Sequence, residues 1–156
     1  QISKVLPENT VKIFDIGGSS GSKVGWYAME MIHGKSIAKI IREMRAKHAK
    51  NIKAPPDGRD MDASINYADA LKLIKIPKDA SGDIALIKRL ISQINFIKNK
   101  LKSSNIAHGG ITGDNLIWDG RVVKIIDAAG SAKDTVKTDM AYFDLITKSL
   151  DYLVTS

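Results

Sequence analysis

The chain is 156 residues long, with 44% hydrophobic and 26% charged residues, a formal net charge of +7 and no cysteine. A chain of this length buries a core without covalent or metal staples. Without cysteine there is no disulfide, no thiolate metal site and no cysteine nucleophile, and no apolar run approaches the roughly 20 residues of a membrane-spanning helix.

The basic charge suits anionic partners. Lysines are spread along the chain rather than gathered in one block, and aromatic residues make up only 6%. Platforms that stack single-stranded bases need more aromatic surface. Nucleic acid is therefore carried as a partner by charge alone, and a solvated basic surface accounts for the same charge. Gln1–Leu6 shows no basic stretch followed by an apolar one, so no signal peptide is expected there, and the absence of cysteine fits an intracellular, cytoplasmic setting. The first residue is not methionine, which leaves room for upstream sequence.

In chain order, Val11–Ile16 alternates apolar and polar residues and Val24–Met31 is a second strand-like run. The glycine-rich connection Gly17-Gly-Ser-Ser-Gly-Ser22 between them predicts a hairpin. From Ser36 the period changes: Ile37, Ile40, Ile41 and Met44 line one face of a helix that Ser36 can cap. Residues 50–64, broken by Pro55-Pro56-Asp57-Gly58, form a loop, and a short helix over 65–74 ends before Pro77. The strongest helix runs over 83–102, with Ile84, Ile87, Leu90, Ile91, Ile94, Ile97 and Leu101 on one side and Ser81 as its cap. Two short apolar runs, Asn115–Trp118 and Val122–Ile126, flank Asp119-Gly120-Arg121, a strong signal for a tight hairpin. A final helix starts near Asp139 and buries Phe143, Ile146, Leu150 and Leu153. The strands are segregated from the helices, which makes the fold class α+β.

The chemistry concentrates in His108-Gly-Gly-Ile-Thr-Gly-Asp-Asn115 and Ile125-Ile-Asp127. A loop before a tight hairpin and a carboxylate at its exit bring Asn115 and Asp127 to the same end. An amide oxygen and a carboxylate suit Mg²⁺, a hard ion that takes few protein ligands beside phosphate oxygens.

These segments resemble the protein-kinase superfamily, whose catalytic loop runs His-x-Asp-x-x-x-x-Asn and is followed by Asp-Phe-Gly. His108 and Asn115 have the motif's spacing, and Asp127 follows Asn115 by twelve residues. The wording is most similar to compact atypical kinases: RIO-type, tRNA-modification and bacterial effector kinases, and aminoglycoside phosphotransferases. Met29-Glu-Met-Ile-His-Gly-Lys-Ser-Ile37 resembles the hinge between the two kinase lobes. The resemblance implies ATP and Mg²⁺ as cofactors, with Met29 as gatekeeper and the Glu30 carbonyl and Ile32 amide on adenine. It further implies Ile117 as the floor of the adenine pocket, Ile126 just before the metal aspartate, and Asn115 and Asp127 as metal ligands. His108 would brace the loop, and Gly34 would let the chain turn. The implied fold is a mostly helical C-lobe (34–156) with a small catalytic-loop hairpin, joined to partial N-lobe strands and hinge (1–33) as one structural unit. An effector of this kind would work in a host cytoplasm.

Three features depart from the family. Gly110 occupies the position of the catalytic aspartate and has no side chain to orient an acceptor or take its proton; Asp114 is the nearest substitute, though in the family that position points elsewhere. Asp127-Ala-Ala-Gly130 keeps the metal carboxylate and loses the packing phenylalanine. The phosphate-covering loop, the strand lysine and its glutamate partner have no counterpart, and Gly17–Gly25 fits neither nucleotide-loop spacing. Between Asp127 and Asp139 there is no room for a conventional activation loop.

Two functions follow as expectations: an ATP-dependent phosphotransferase acting on protein Ser/Thr hydroxyls, truncated or degenerate, or an inactive pseudokinase-type module that binds a protein partner. Elsewhere, His33 and His48 are read as surface residues, Trp26 and Trp118 as core, and Asp57, Asp60 and Asp62 as a solvated loop. Nothing in the spacing of Ser131 and Lys133 requires them to meet phosphate.

Overall fold

The computed structural model describes residues 1–18, 25–49, 74–126 and 135–155. Its elements in order are α1 (Ile2–Val5), β1 (Ile13–Gly18), β2 (Gly25–Met29), β3 (Lys35–Ser36), α2 (Ile37–Ala49), α3 (Ser81–Ser103), β4 (Leu116–Trp118), β5 (Val123–Ile125) and α4 (Val136–Val154). The fold is α+β, as the segregated pattern predicts. Strands β1 and β2 pair antiparallel in one sheet, and β3, β4 and β5 form a second, in that order and antiparallel throughout. The 50–64 loop, residues 65–73 of the expected 65–74 helix, Asp57, Asp60, Asp62, Asp127, Ser131 and Lys133 lie outside the described residues, and Ile74 is buried but not helical.

Helix α3 forms because its apolar residues recur at helical spacing, and Ile87, Leu90, Ile94, Ile97 and Leu101 are fully buried. Helix α4 lays Phe143, Leu150 and Leu153 against that stripe, and Ile111, Leu116, Val123 and Ile125 close the core beneath it. Each such side chain contributes roughly 1.5–3 kcal/mol on burial. At the end of α3, Asn105 adopts a left-handed conformation (φ 52°) and the Ile106 amide returns to the Leu101 carbonyl at 3.0 Å, which turns the chain back toward His108.

The helix starts differ in part from the sequence pattern. Ser36 does cap α2, its Oγ accepting from the Lys39 amide at 3.1 Å. Ser81 does not cap α3: the turn closed by the Ala80 amide on the Pro77 carbonyl feeds straight into the helix, so Ala80 is the capping residue and Ser81 the first helical one. Helix α4 begins three residues before Asp139, because Thr135 Oγ1 accepts from the Thr138 amide at 3.2 Å.

Two side-chain expectations are corrected. Trp26 is 55% exposed, since β1–β2 has only two strands and the hairpin's strands pack chiefly on each other. Trp118 does pack against the core, with the Arg89 guanidinium 5.1 Å above its ring. His48 is buried rather than at the surface, because its Nε2 lies 2.8 Å from Asp83 Oδ2 across the α2–α3 junction. Lys47 Nζ donates to the same oxygen at 2.7 Å. Lys47, and then His48, hold the Asp83 carboxyl below its usual range.

A depressed folded value means that Asp83 stabilises the fold fully above its unfolded pKa and ceases to as pH falls through the folded one. Urea midpoints of the wild type should therefore drop more between pH 6 and pH 3 than those of Asp83→Asn. Phe143→Ala should cost about 3–5 kcal/mol by urea unfolding at neutral pH, the loss of a fully packed aromatic.

Candidate functional site

Two segments far apart in sequence meet in the three-stranded sheet. Strand β3 pairs with β4, placing Lys35 opposite Trp118 and Ser36 opposite Ile117, and β4 pairs with β5, placing Ile117 opposite Lys124. The Ala38 amide donates to the Gly113 carbonyl at 2.9 Å. Gly34 is required for this approach, since a Cβ there would stand 2.2 Å from the Trp118 carbonyl oxygen. Residues 34–38 are thus fixed beside the 108–126 loop and hairpin.

The loop itself is held from below. Asp139, 1% exposed at the start of α4, accepts from the His108 amide through Oδ2 at 2.6 Å and from the Gly109 amide at 3.2 Å. Gly109 sits at φ +79°, the left-handed conformation that lets consecutive amides converge on one carboxylate. His108 is buried beside it. Asn115 Nδ2 donates to the Gly110 carbonyl at 2.8 Å, and the Asn115 carbonyl accepts from the Ile126 amide at 3.0 Å. Because the amide nitrogen is committed, Asn115 Oδ1 is the end left without a partner among the described residues. An amide oxygen held this way is a suitable donor to Mg²⁺. Its companion, Asp127, lies outside the described residues, and among those described no cluster of three or more His, Asp or Glu is placed to hold a metal.

On the other segment, Met29 ends β2 opposite Ile13 and is 38% exposed, so it belongs to the hairpin rather than to the three-stranded sheet. The Glu30 amide donates to the Lys12 carbonyl at 2.8 Å. Its carboxylate accepts from Lys124 Nζ at 2.7 Å and from the Lys12 amide at 3.2 Å, and these two, Lys124 foremost, hold it below its usual pKa. The Glu30 carbonyl and the Ile32 amide have no hydrogen-bond partner among the described residues. Wherever a chain is extended, a carbonyl and the amide two residues on face the same side. Ile32, Ile117 and Ile126 are each half-buried.

The position two after His108 offers only a backbone carbonyl, that of Gly110. Asp114 is exposed, and its Oδ1 accepts from Ser36 Oγ at 3.3 Å, so it turns toward the start of α2. The structure therefore brings together Gly110, Asn115, Ile117, Ile126 and, through Lys124, Glu30. No protein-family model, curated protein or solved structure matches this chain. The reading of the site rests on its own residues.

Sequence reasoning missed Asp139 as the anchor of the loop and Lys124 as the partner of Glu30. A signal for Asp139 was present: 139, 143, 146 and 150 share one helical stripe, so an acid stood on an otherwise apolar, buried face. An acid in that place needs donors supplied by another segment.

Asp139→Ala should cost about 3 kcal/mol or more, because two buried amides lose a charged acceptor. Amide exchange should locate the damage at His108 and Gly109, while Asp139→Asn, which keeps one acceptor oxygen, should lie between the two.

Proposed function

We propose that this chain is a protein-kinase-like domain that binds ATP with Mg²⁺ between the 29–32 segment and the 110–127 loop. Its reaction class is transfer of the γ-phosphoryl group to a protein Ser/Thr hydroxyl. The hinge and partial N-lobe strands are residues 1–33, and the C-lobe is 34–156. The observation that carries the reading is that β3, which follows the 29–32 segment, pairs with β4, which follows Asn115. One half-site offers a carbonyl (Glu30) and an amide (Ile32) that have no hydrogen-bond partner among the described residues, complementary to the amine donor and ring-nitrogen acceptor on one edge of adenine. The other offers Asn115 Oδ1, its amide turned by the Gly110 carbonyl.

In this reading Met29 borders the adenine pocket, Ile117 and Ile126 supply its apolar floor, and Asn115 and Asp127 hold the metal. Mg²⁺ in such a place neutralises phosphate charge as it develops. The protein's own part is positioning: the Asp139 carboxylate fixes the His108–Gly110 backbone, and Gly34 lets the hinge reach β4. An intracellular setting, where ATP and Mg²⁺ are both plentiful, goes with this assignment.

A second reading is favoured by one observation. Gly110 has no side chain, and Asp114 is engaged by Ser36 rather than standing free as a base. An inactive module that binds nucleotide and a protein partner fits that arrangement.

Thermal unfolding with ATP and Mg²⁺ tests the shared core of both readings: nucleotide held at 100 times its Kd should stabilise the domain by about 2.7 kcal/mol. Asn115→Leu and Asp127→Ala should remove the metal-dependent part of that gain. Radiolabel transfer then separates the two. Gly110 is not in the left-handed region, so Gly110→Asp is conformationally admissible and should raise transfer by about 10²–10⁴-fold if only the base is missing. No stabilisation by ATP with any divalent ion would refute the nucleotide site.

A further inference from the structure

We propose that the Glu30–Lys124 ion pair is a latch that sets the angle of the β1–β2 hairpin against the body carrying Asn115. Through that angle it controls closure on nucleotide, a last step that rests on the nucleotide site proposed above.

The hairpin needs such a device. An isolated two-stranded hairpin is marginal in water, and this one leaves Ile13, Phe14, Ile16 and Trp26 exposed. Its attachments gather at one end. Before β1, Thr10 bridges to Ile125, the Asn9 carbonyl accepts from the Ile125 amide at 2.7 Å, and Asn9 Nδ2 donates to the Val123 carbonyl at 2.8 Å. After β2, Glu30 closes the root on Lys12 and crosses to Lys124. The N-terminal side is thus tied to β5 by backbone and amide bonds. The side leading toward Ile32 is tied by the ion pair.

Among the described residues, Glu30–Lys124 is the one ion pair that joins the hairpin end to the body. Lys35–Glu43 lies along β3 and α2, Lys47 and His48 meet Asp83 between α2 and α3, and Lys98 meets Asp144 between α3 and α4. The Lys124 side chain is 12% exposed and that of Glu30 30%, against 53% and 44% for Lys35 and Glu43. Shielding from water strengthens the attraction relative to an open surface pair, which contributes little. Both Glu30 carboxylate oxygens are used, one by Lys124 and one by the Lys12 amide. The same residue owns the carbonyl proposed for adenine. Lys124 faces Ile117 in register and lies two residues before Ile126, so one side-chain contact links the base-facing backbone to the strand that leads into the metal end.

The test uses side-chain variants, which leave the Glu30 carbonyl in place, read by amide exchange of the full chain. Lys124→Met and Glu30→Gln should speed exchange at 13–18 and 25–29 by about tenfold, with α3 and α4 unchanged. Lys124→Glu should be worse, and the double variant Glu30→Lys/Lys124→Glu should recover most of that loss. Salt near 1 M, which shortens the screening length to about 3 Å, should loosen the wild-type hairpin and leave Lys124→Met unaffected. Hairpin exchange that is the same in wild type and both single variants overturns the latch. In a second arm, Mg-ATP affinity measured by titration should weaken by about fivefold in Lys124→Met. Equal affinity with a loosened hairpin overturns control of closure. A wild type that binds no Mg-ATP refutes the nucleotide site instead, and the exchange arm still decides the latch.

Discussion

A carboxylate removed from water must find its compensation in the protein, and Asp139 finds it in the backbone of the loop that leads into β4. Its oxygens take the amides of His108 and Gly109, so the position of that loop is tied to α4 and through α4 to the core. An unpaired buried charge is far more costly than a missing surface contact. The loop therefore cannot drift from α4 without stranding the acid. The dependence runs both ways: two consecutive amides can converge on one group only because Gly109 takes up a left-handed conformation.

A second constraint acts from the opposite side. The sheet that joins the 29–37 stretch to the 108–126 stretch is small, with β3 only two residues long, and it is set by shape as much as by hydrogen bonds. Gly34 passes so close to the Trp118 carbonyl that any side chain would push the strands apart. Ser36 holds the start of α2 and also meets Asp114. The 108–126 stretch is thus held by one anchor that is electrostatic and one that is steric, while α3 and α4 supply much of the buried apolar surface.

What could be read in the sequence follows from these causes. Helices α3 and α4 were legible because long apolar stripes at helical spacing have few alternatives, and β4–β5 was legible because Asp119-Gly120 between apolar runs favours a tight turn. There Asp119 Oδ1 accepts from the Arg121 and Val122 amides at 2.7 and 2.8 Å. Strand β3 was not legible, since two polar residues acquire strand character only from the β4 edge beside them. His48 and Asp83 were opaque for the same reason: the partner that makes burial tolerable is 35 residues away. Trp26 misled because an aromatic residue in a strand pattern looks like core, whereas a two-stranded sheet has no interior. For the candidate site, spacing alone pointed to Asn115, Ile117 and Ile126, which the fold places just before β4, within it and just after β5. The tie from Glu30 to Lys124 needed coordinates.

The glycine at position 110 takes on a more definite meaning in this setting. The Asn115 side chain is oriented by the Gly110 carbonyl, not by anything the residue's side chain would provide. Backbone carbonyls are common to all residues, so the orientation of Asn115 does not depend on which side chain stands at position 110. The anchoring of the loop is likewise indifferent to position 110, because Asp139 holds the two residues before it. The orientation of Asn115 and the anchoring of the loop therefore both depend on backbone atoms of one short segment, and neither requires a side chain at position 110.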